Sequence, residues 1–259
     1  MNGELKSRVL REKGEHEDNA ILEKSFQFKN IFCHVLNSPT IKRLKRDEEK
    51  IYYQSKGLKV LDIGCGFGER SIEVAKFGGE VVGIDISKKN INFSEKLASE
   101  KNLSKKCDFL QMDVHEMSFE NNKFDLVIGR GIIHHLDMKV SLLEIKRVLK
   151  NGGTALFVEP LDSNPLLKLF RFLTPFARTA DEKPLTKKDL KWISKEFYVE
   201  NSYYGIFSTP LALITSIILR PYPCNIILKI SDIVEQYFNK LEIFHPFNQY
   251  VLIKVKKII

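Results

Sequence analysis

Residues 60 to 69 read Val-Leu-Asp-Ile-Gly-Cys-Gly-Phe-Gly-Glu: an apolar run carrying Asp62 opens at once into glycines at positions 64, 66 and 68. The run has no alternating polar face, as expected of a strand buried on both sides of a parallel sheet, and a helical pattern follows the glycines. Without Cβ atoms the loop can turn tightly, and its backbone can lie against a ligand that a side chain would push away. Spacing separates the nucleotide loops that share this outline. The dinucleotide fingerprint G-x-G-x-x-G, counted from Gly64, puts its third glycine at position 69, which is Glu69. The P-loop pattern fails as well, since no Gly-Lys-Ser or Gly-Lys-Thr follows.

With Asp62 in front, the loop resembles the D-x-G-x-G-x-G motif of class I S-adenosylmethionine-dependent methyltransferases, and three further segments follow in order. EVVGIDIS reads as a second buried strand ending in Asp85, at about the distance downstream where nucleotide folds set a carboxylate on the ribose. FLQMDV gives a third strand ending in Asp113. FDLVIGRGIIHHL supplies a fourth, followed by the helix KVSLLEIKRVLK, a turn at Asn151-Gly152-Gly153 and a fifth strand, TALFVEP. The resemblance covers about residues 57 to 160. It implies an α/β, Rossmann-like sheet of seven mostly parallel strands with an antiparallel last strand, for which FNQYVLIKVKK is the candidate.

The resemblance also implies a cofactor, S-adenosyl-L-methionine, with S-adenosyl-L-homocysteine as product. Its contacts fall on Asp62, the loop Gly64, Cys65, Gly66 and Gly68, the ribose acid Asp85 with Ile86, Asp113 and the backbone of Val114 at the adenine, and the main chain near Arg130 at the methionine ammonium. An aspartate after a strand alone reads equally well as a helix cap, so it is the ordered set that points to a ligand. Cys65, between two glycines, reads as a small buried filler rather than a nucleophile.

Methyl transfer depends on alignment and a water-poor pocket, and a hydroxyl acceptor also needs a base. His134 and His135 follow the fourth strand, at the sheet edge where α/β folds bind ligands, and Glu159 ends the fifth. These three are the candidate catalytic residues. Neighbouring histidines point in different directions, so at most one is expected to face the acceptor. His16 is a candidate for the methionine end of the cofactor, whereas His34, His115 and His245 show no pattern.

Composition bounds the partners. Forty-one Lys and Arg against 33 acids leave a net charge of +8, which favours an anionic small molecule, nucleic acid or an anionic membrane surface. The charges are spread over IKRLKR, EIKRVLK, TKKDLK and KVKK, as on a solvated surface. The fourth strand ends in GRGI rather than the Asn/Asp-Pro-Pro-Tyr of base-amino methyltransferases, and no RNA-binding module is recognisable, so nucleic acid is the weaker reading. Pro223-Cys224 resembles a cytosine-attacking pair only superficially, since it lies far past the fourth strand. Four dispersed cysteines without metal-ligand spacing, and a charged N-terminus without a signal-peptide core, fit a reduced, cytoplasmic protein without a bound metal.

The expected organisation is an N-terminal helical cap over residues 1 to 55 and a methyltransferase domain over 56 to 259, with acceptor-pocket insertions at about 160 to 185 and 206 to 244. In the cap, two helices between Glu17 and Lys50 flank Asn37-Ser38-Pro39-Thr40, where Ser38 can cap and Pro39 can start a helix. Ile21, Leu22, Phe26, Phe28, Ile31, Phe32 and Leu36 read mostly as packing residues. The first insertion, EPLDSNPLLKLFRFLTPFARTADEKPLT, resembles a segment of a small-molecule methyltransferase subset and carries Arg178, Asp181 and Glu182 as pocket-mouth candidates. The second reads as a helix pair whose Leu211, Leu213, Ile214, Ile217, Ile218 and Leu219 point first to core or homodimer packing and second to peripheral membrane contact. The leading acceptor is an oxygen of a sugar, phosphorylated or nucleotide-activated precursor. RNA, and a lipid or quinone, are the alternatives, with a non-catalytic scaffold as a third class.

Overall fold

The computed structural model describes residues 3–17, 30–174, 182–219, 222 and 225–257. Ile21, Leu22, Phe26, Phe28, Arg178, Asp181, Pro223 and Cys224 lie outside these residues, as does the side chain of His16. Seven strands form one sheet in the order β3-β2-β1-β4-β5-β7-β6. They are β1 (Lys59–Ile63), β2 (Glu80–Asp85), β3 (Cys107–Gln111), β4 (Phe124–Arg130), β5 (Leu149–Pro160), β6 (Tyr198–Tyr204) and β7 (Tyr250–Lys256). β1 pairs in parallel with β2 and β4, β2 with β3, and β4 with β5. β7 runs antiparallel to both β5 and β6, as expected of the last strand.

Period-two burial explains the layers. Leu61 and Ile63 of β1 enter one core with Leu142 and Ile145 of α6 (Met138–Val148) and Ile193 of α8 (Lys187–Glu196). Val60 enters the other core with Leu44 of α3 (Pro39–Tyr52), Ile72 and Ala75 of α4 (Glu69–Lys76), and Ile91 and Ala98 of α5 (Lys88–Glu100). Both faces of the sheet are therefore dry, and the strands can be apolar throughout. The helix starts are set locally. Ser38 accepts the Ile41 N–H, with Pro39 in the first turn of α3, and Ser87 caps α5. Thr186 and Asp189 form a capping box on α8.

Strand order reverses beside β1, so the carboxyl ends of β1, β2 and β4 open a crevice there. Gly83, in the middle of β2, keeps that part of the sheet thin: an added Cβ would come within 2.6 Å of the Phe109 ring and 3.2 Å of Cys65. We expect Gly83→Ala to cost about 1–3 kcal/mol by overpacking, read as a shift in urea midpoint with unchanged slope. A neutral result would mean that the Phe109 ring and Cys65 give way easily.

Three details differ from expectation. The segment at Asn151-Gly152-Gly153 is not a turn ahead of β5: Leu149 already pairs with Phe124, and the register slips before Leu126 pairs with Thr154, leaving the glycines in a bulge. The charged N-terminus forms a helix, α1 (Gly3–Glu17), ahead of α2 (Cys33–Asn37). Ile31 and Leu36 are exposed rather than packed.

The helix pair of the second insertion, α9 (Ser208–Ile218) and α10 (Ile226–Phe238), is built inside out. α9 buries Ser208, Thr209, Ala212, Thr215 and Ser216, and α10 buries Leu228, Ser231, Asp232 and Glu235. Ile214, Ile217, Ile218, Ile226, Ile230, Ile233 and Tyr237 face outward. Core packing within the chain is therefore not the fate of Ile214, Ile217 and Ile218. The physical reason is a polar clamp. Arg43 of α3 donates to Asp232 at 3.0 Å and to Glu235 at 3.0 Å, while Thr40 donates to Asp232 and Ser208 to the other Glu235 oxygen. A buried carboxylate such as Glu235 must turn toward these donors, which rotates the apolar face outward.

Candidate functional site

The glycine loop leaves β1 at Ile63 and enters α4 at Glu69. Gly64, Gly66 and Gly68 all adopt left-handed backbone, with φ of +59°, +55° and +78°. Their surroundings differ. A Cβ on Gly64 would strike Ile132 at 2.6 Å, whereas one on Gly66 would meet nothing within 4 Å, so the loop presents bare backbone to open space at Gly66. The Gly66 N–H donates to Asp85 Oδ2 at 2.9 Å, and the Gly66 carbonyl accepts from Ser94 at 2.9 Å. Asp85 Oδ1 accepts from the Ser87 N–H and from Asn90. The carboxylate at the end of β2 is thus locked against the loop.

Asp62 lies behind the loop. It is fully buried, accepts from the Ser71 hydroxyl at 2.7 Å and has Arg70 Nε at 3.8 Å. Burial pushes its carboxyl above the usual range, against the pull of Arg70 and Ser71. Arg70 in turn donates to the Gly64 carbonyl. Cys65 is buried, and burial followed by the charge of Asp62 raises its thiol far above the ordinary value, so no thiolate forms near neutral pH.

A cavity of about 60 Å³ opens over this edge, lined by Gly64, Asp85, Ile86, Asp113, Val114, Ile132 and His135 among others. The structure thus brings together Gly64, Asp85, Ile86, Asp113 and Val114, while Asp62 supports them from beneath. Four residues at this cavity show no signal in the reading of the motifs: Arg8, Val9 and Glu12 of α1, and His115. His115 bridges two elements. Its Nδ1 lies 2.7 Å from Asp113 Oδ1, and its Nε2 accepts the Asp137 N–H at 2.9 Å, which fixes the tautomer with the proton on Nδ1. Burial works against ionisation of Asp113, yet the hydrogen bonds of His115 outweigh it and hold the carboxyl below its usual range.

Past β4 the chain turns at Gly131 and forms a 3-10 turn, Ile133–His135. Glu159, fully buried at the end of β5, organises that turn. One oxygen accepts the N–H groups of Ile132 and Ile133 at 3.0 and 2.9 Å; the other accepts from the His134 N–H at 3.4 Å and lies 2.6 Å from His134 Nδ1. His135 Nδ1 lies 3.2 Å from Glu12 Oε1 of α1, a contact across 123 positions of sequence. Burial disfavours the charged imidazole of His135, but Glu12, followed by Glu182 and Glu159, raises its pKa above the ordinary value. Arg130 pairs with Glu48 at 3.2 Å.

A second cavity, about 330 Å³, lies along the same segment and is lined by Leu36, Ile41, Leu44, Arg130, Gly131, His134, Val158, Pro160, Glu182, Gln249 and Tyr250. Residues of the segment after β4 therefore divide between two chambers: Ile132, His135 and Leu136 line the first, and Arg130, Gly131 and His134 the second. The larger chamber has an apolar wall from the N-terminal helices and β5, made by Leu36, Ile41, Leu44, Val158 and Pro160, facing a polar one. Its polar groups are Arg130, His134, Glu182, Gln249 and the Tyr250 hydroxyl.

A family model described as a methyltransferase domain matches residues 54–211, more than half of the chain. The demethylmenaquinone methyltransferase of Staphylococcus aureus (strain MRSA252) is 40% identical over 121 residues, which is 45% of this chain and 48% of that protein. A sterol 24-C-methyltransferase of Aspergillus fumigatus is 34% identical over 128 residues, 47% of this chain and 34% of that protein. The chain thus spans about half or less of the length of these curated relatives. Among solved structures, the geranyl diphosphate C-methyltransferase of Streptomyces coelicolor A3(2), in complex with Mg2+, geranyl diphosphate and S-adenosyl-L-homocysteine, superposes with a TM-score of 0.60 at 15% identity, over 84% of this chain and 81% of that one. At that identity the likeness speaks for the fold alone. The sheet order, the glycine loop with its locked acid, and the match across residues 54–211 make this chain a member of the methyltransferase-domain family.

Proposed function

We propose that the chain transfers a methyl group from S-adenosylmethionine to an oxygen of a small acceptor whose body is apolar. The observation that carries this reading is the pair of chambers divided by the segment Arg130 to Leu136. The smaller one has the donor set suited to a nucleoside: a carboxylate at Asp85 for the ribose hydroxyls, the glycine loop at Gly64 with the open backbone of Gly66 held beside it by Asp85, and Asp113 with the Val114 backbone for the adenine. When bound, S-adenosylmethionine supplies an electrophilic methyl on a sulfonium. The protein's own part is to align the acceptor, keep water out and take up a proton where the acceptor is a hydroxyl.

His134 is the candidate base at the larger chamber. A carboxylate can only accept, so Glu159 fixes the proton of His134 on Nδ1 and leaves the lone pair on Nε2. Glu159 itself is occupied by the turn and acts through His134 as a positioning residue. Apolar walls at Leu36, Ile41, Leu44, Val158 and Pro160 favour a lipid-like or quinone-like acceptor over the sugar or nucleotide-activated precursor expected from sequence. The relatives named for menaquinone and sterol precursors support the same choice. A phosphorylated head group remains compatible with Arg130 at the chamber wall.

An apolar acceptor comes from a lipid phase, and the outward faces of α7 (Pro165–Leu173), α9 and α10 suit a lipid surface. Phe172 is 79% exposed and Ile218 71% exposed, with exposed Lys168, Lys229 and Lys240 on or beside the same helices to meet anionic head groups. Among the described residues no helix is long and apolar enough to cross a membrane. Co-sedimentation with anionic vesicles tests this surface. Loss of binding in Phe172→Ser/Ile218→Ser supports it, whereas a vesicle-indifferent dimer that the same changes dissociate assigns the face to a second copy.

One substitution tests the glycine loop of the donor half. Gly66→Val adds a branched side chain where the backbone has positive φ and fills the open face of the loop; we expect roughly a tenfold or greater loss of S-adenosylmethionine affinity, about 1.4 kcal/mol or more. Unchanged affinity by calorimetric titration would remove the loop from the donor site.

A further inference from the structure

The two histidines of the turn after β4 are each oriented by a different carboxylate. His134 Nδ1 faces Glu159 at 2.6 Å and His135 Nδ1 faces Glu12 at 3.2 Å. Their rings lie side by side with centroids 4.1 Å apart. A carboxylate on Nδ1 sets the tautomer, directs the Nε2 lone pair outward and raises its basicity, which is how proteins prepare an imidazole to bind a metal ion. A third donor completes the group. Glu182, in the segment leading to α8, brings Oε1 to 3.7 Å from His134 Nε2. One ligand atom each from His134, His135 and Glu182 fall within 4.8 Å of one another.

These spacings suit chelation better than direct contact. A separation of 3.7 Å is too long for a hydrogen bond, whereas bonds of about 2.1 Å meeting at a tetrahedral angle hold donor atoms about 3.4 Å apart. A shift of a few tenths of an ångström would therefore close His134 and Glu182 on a common ion.

We propose that His134, His135 and Glu182 bind a divalent first-row transition ion such as Zn2+, Mn2+, Fe2+ or Co2+. Two imidazoles and one carboxylate favour these ions over Mg2+ and Ca2+, which take oxygen ligands. Three protein donors leave coordination positions for a small ligand. His135 lines the smaller chamber, and His134 and Glu182 line the larger, so the ion lies on their boundary. There it can hold an oxygen of the acceptor, and with the ion bound the His134 Nε2 lone pair is committed to the metal and no longer serves as the base, which belongs to the metal-free chain; this role rests on the methyl-transfer reading, but the binding of the ion does not. The site also turns Glu182, a sequence candidate for the pocket mouth, into a ligand, and Glu12 of α1 into the group that orients His135.

The test uses the full chain, free of any affinity tag and stripped with a chelator, titrated with Co2+ and followed by its visible ligand-field absorption, then by competition with Zn2+. We expect one equivalent bound at micromolar or tighter affinity, with Mg2+ unable to compete. Glu182→Gln and His135→Ala should each weaken Co2+ binding at least about 100-fold, beyond the 10–100-fold typical of losing an orienting partner. Glu182→Gln should keep the wild-type affinity for S-adenosylmethionine, because Glu182 does not line the smaller chamber. Absence of Co2+ binding tighter than millimolar, or equal affinity in wild type and both variants, would overturn the proposal. Co2+ binding together with failure to bind S-adenosylmethionine would leave the ion site standing and count against the donor site alone.

Discussion

Replacing Asp85 by alanine is expected to lower the affinity for S-adenosylmethionine at least 100-fold while leaving the chain folded. The carboxylate lines the smaller chamber at the end of β2, and it also accepts from the Gly66 N–H, the Ser87 N–H and Asn90. Two consequences follow from its removal. A ligand with vicinal hydroxyls loses charge-assisted hydrogen bonds worth about 1.5–3 kcal/mol each, and the glycine loop loses the bond that fixes Gly66. A 100-fold loss corresponds to about 2.7 kcal/mol, which a single such bond can supply. Asp85 is buried and its removal leaves the Gly66 and Ser87 N–H groups and Asn90 without their acceptor, so about 1–3 kcal/mol of stability should go with it, too little to unfold the chain. Calorimetric titration of the variant, with circular dichroism to verify the fold, checks both halves. Retained affinity would mean that the ribose acid lies elsewhere.

Glu159→Gln is expected to have the largest effect on stability, about 3 kcal/mol or more by urea unfolding. The side chain keeps its size, so the loss reports on hydrogen bonding. Glu159 is fully buried and faces three backbone N–H groups and His134 Nδ1, all of them donors. An amide offers one accepting oxygen and turns its NH2 toward groups that themselves donate, leaving at least one buried donor unmet. Methyl transfer should fall with it, since His134 loses the partner that sets its tautomer. A change below about 1 kcal/mol would show that the turn after β4 is held by its packing and not by this carboxylate.

The part of the fold written into neighbouring residues was legible. Apolar runs at 60 to 63, 81 to 85 and 124 to 130 could only be strands buried on both faces, and the glycines fixed where the first of them ends. Asp85 could be singled out because a carboxylate at the end of a buried strand is a local feature, and the structure sets it against the Gly66 N–H. What depended on distant partners was hidden. His115 had no pattern because its role comes from Asp113 and from the Asp137 N–H beyond β4. Glu12 meets His135 across most of a domain, and the α1 face that carries it, Leu5, Val9 and Glu12 at i, i+4 and i+7, is too weakly apolar to stand out.

The outward turn of α9 and α10 shows the same limit from the other side. Their sequences are apolar enough for a core, and periodicity alone directs Ile214, Ile217 and Ile218 inward. The orientation is decided by Arg43, nearly 190 positions from Asp232, because an ion-paired carboxylate costs more to misplace than an exposed isoleucine. Long-range charge pairing thus overrode local hydrophobic pattern at the surface proposed to meet the acceptor's lipid phase.

The measurement that tests the account most directly is calorimetric titration of the full chain with S-adenosylmethionine, with NAD in parallel. Binding of the former in the micromolar range, about 8 kcal/mol, together with no response to NAD, is the predicted result. Binding of NAD instead, or of neither ligand by a folded protein, would contradict a donor site built on Gly66 and Asp85.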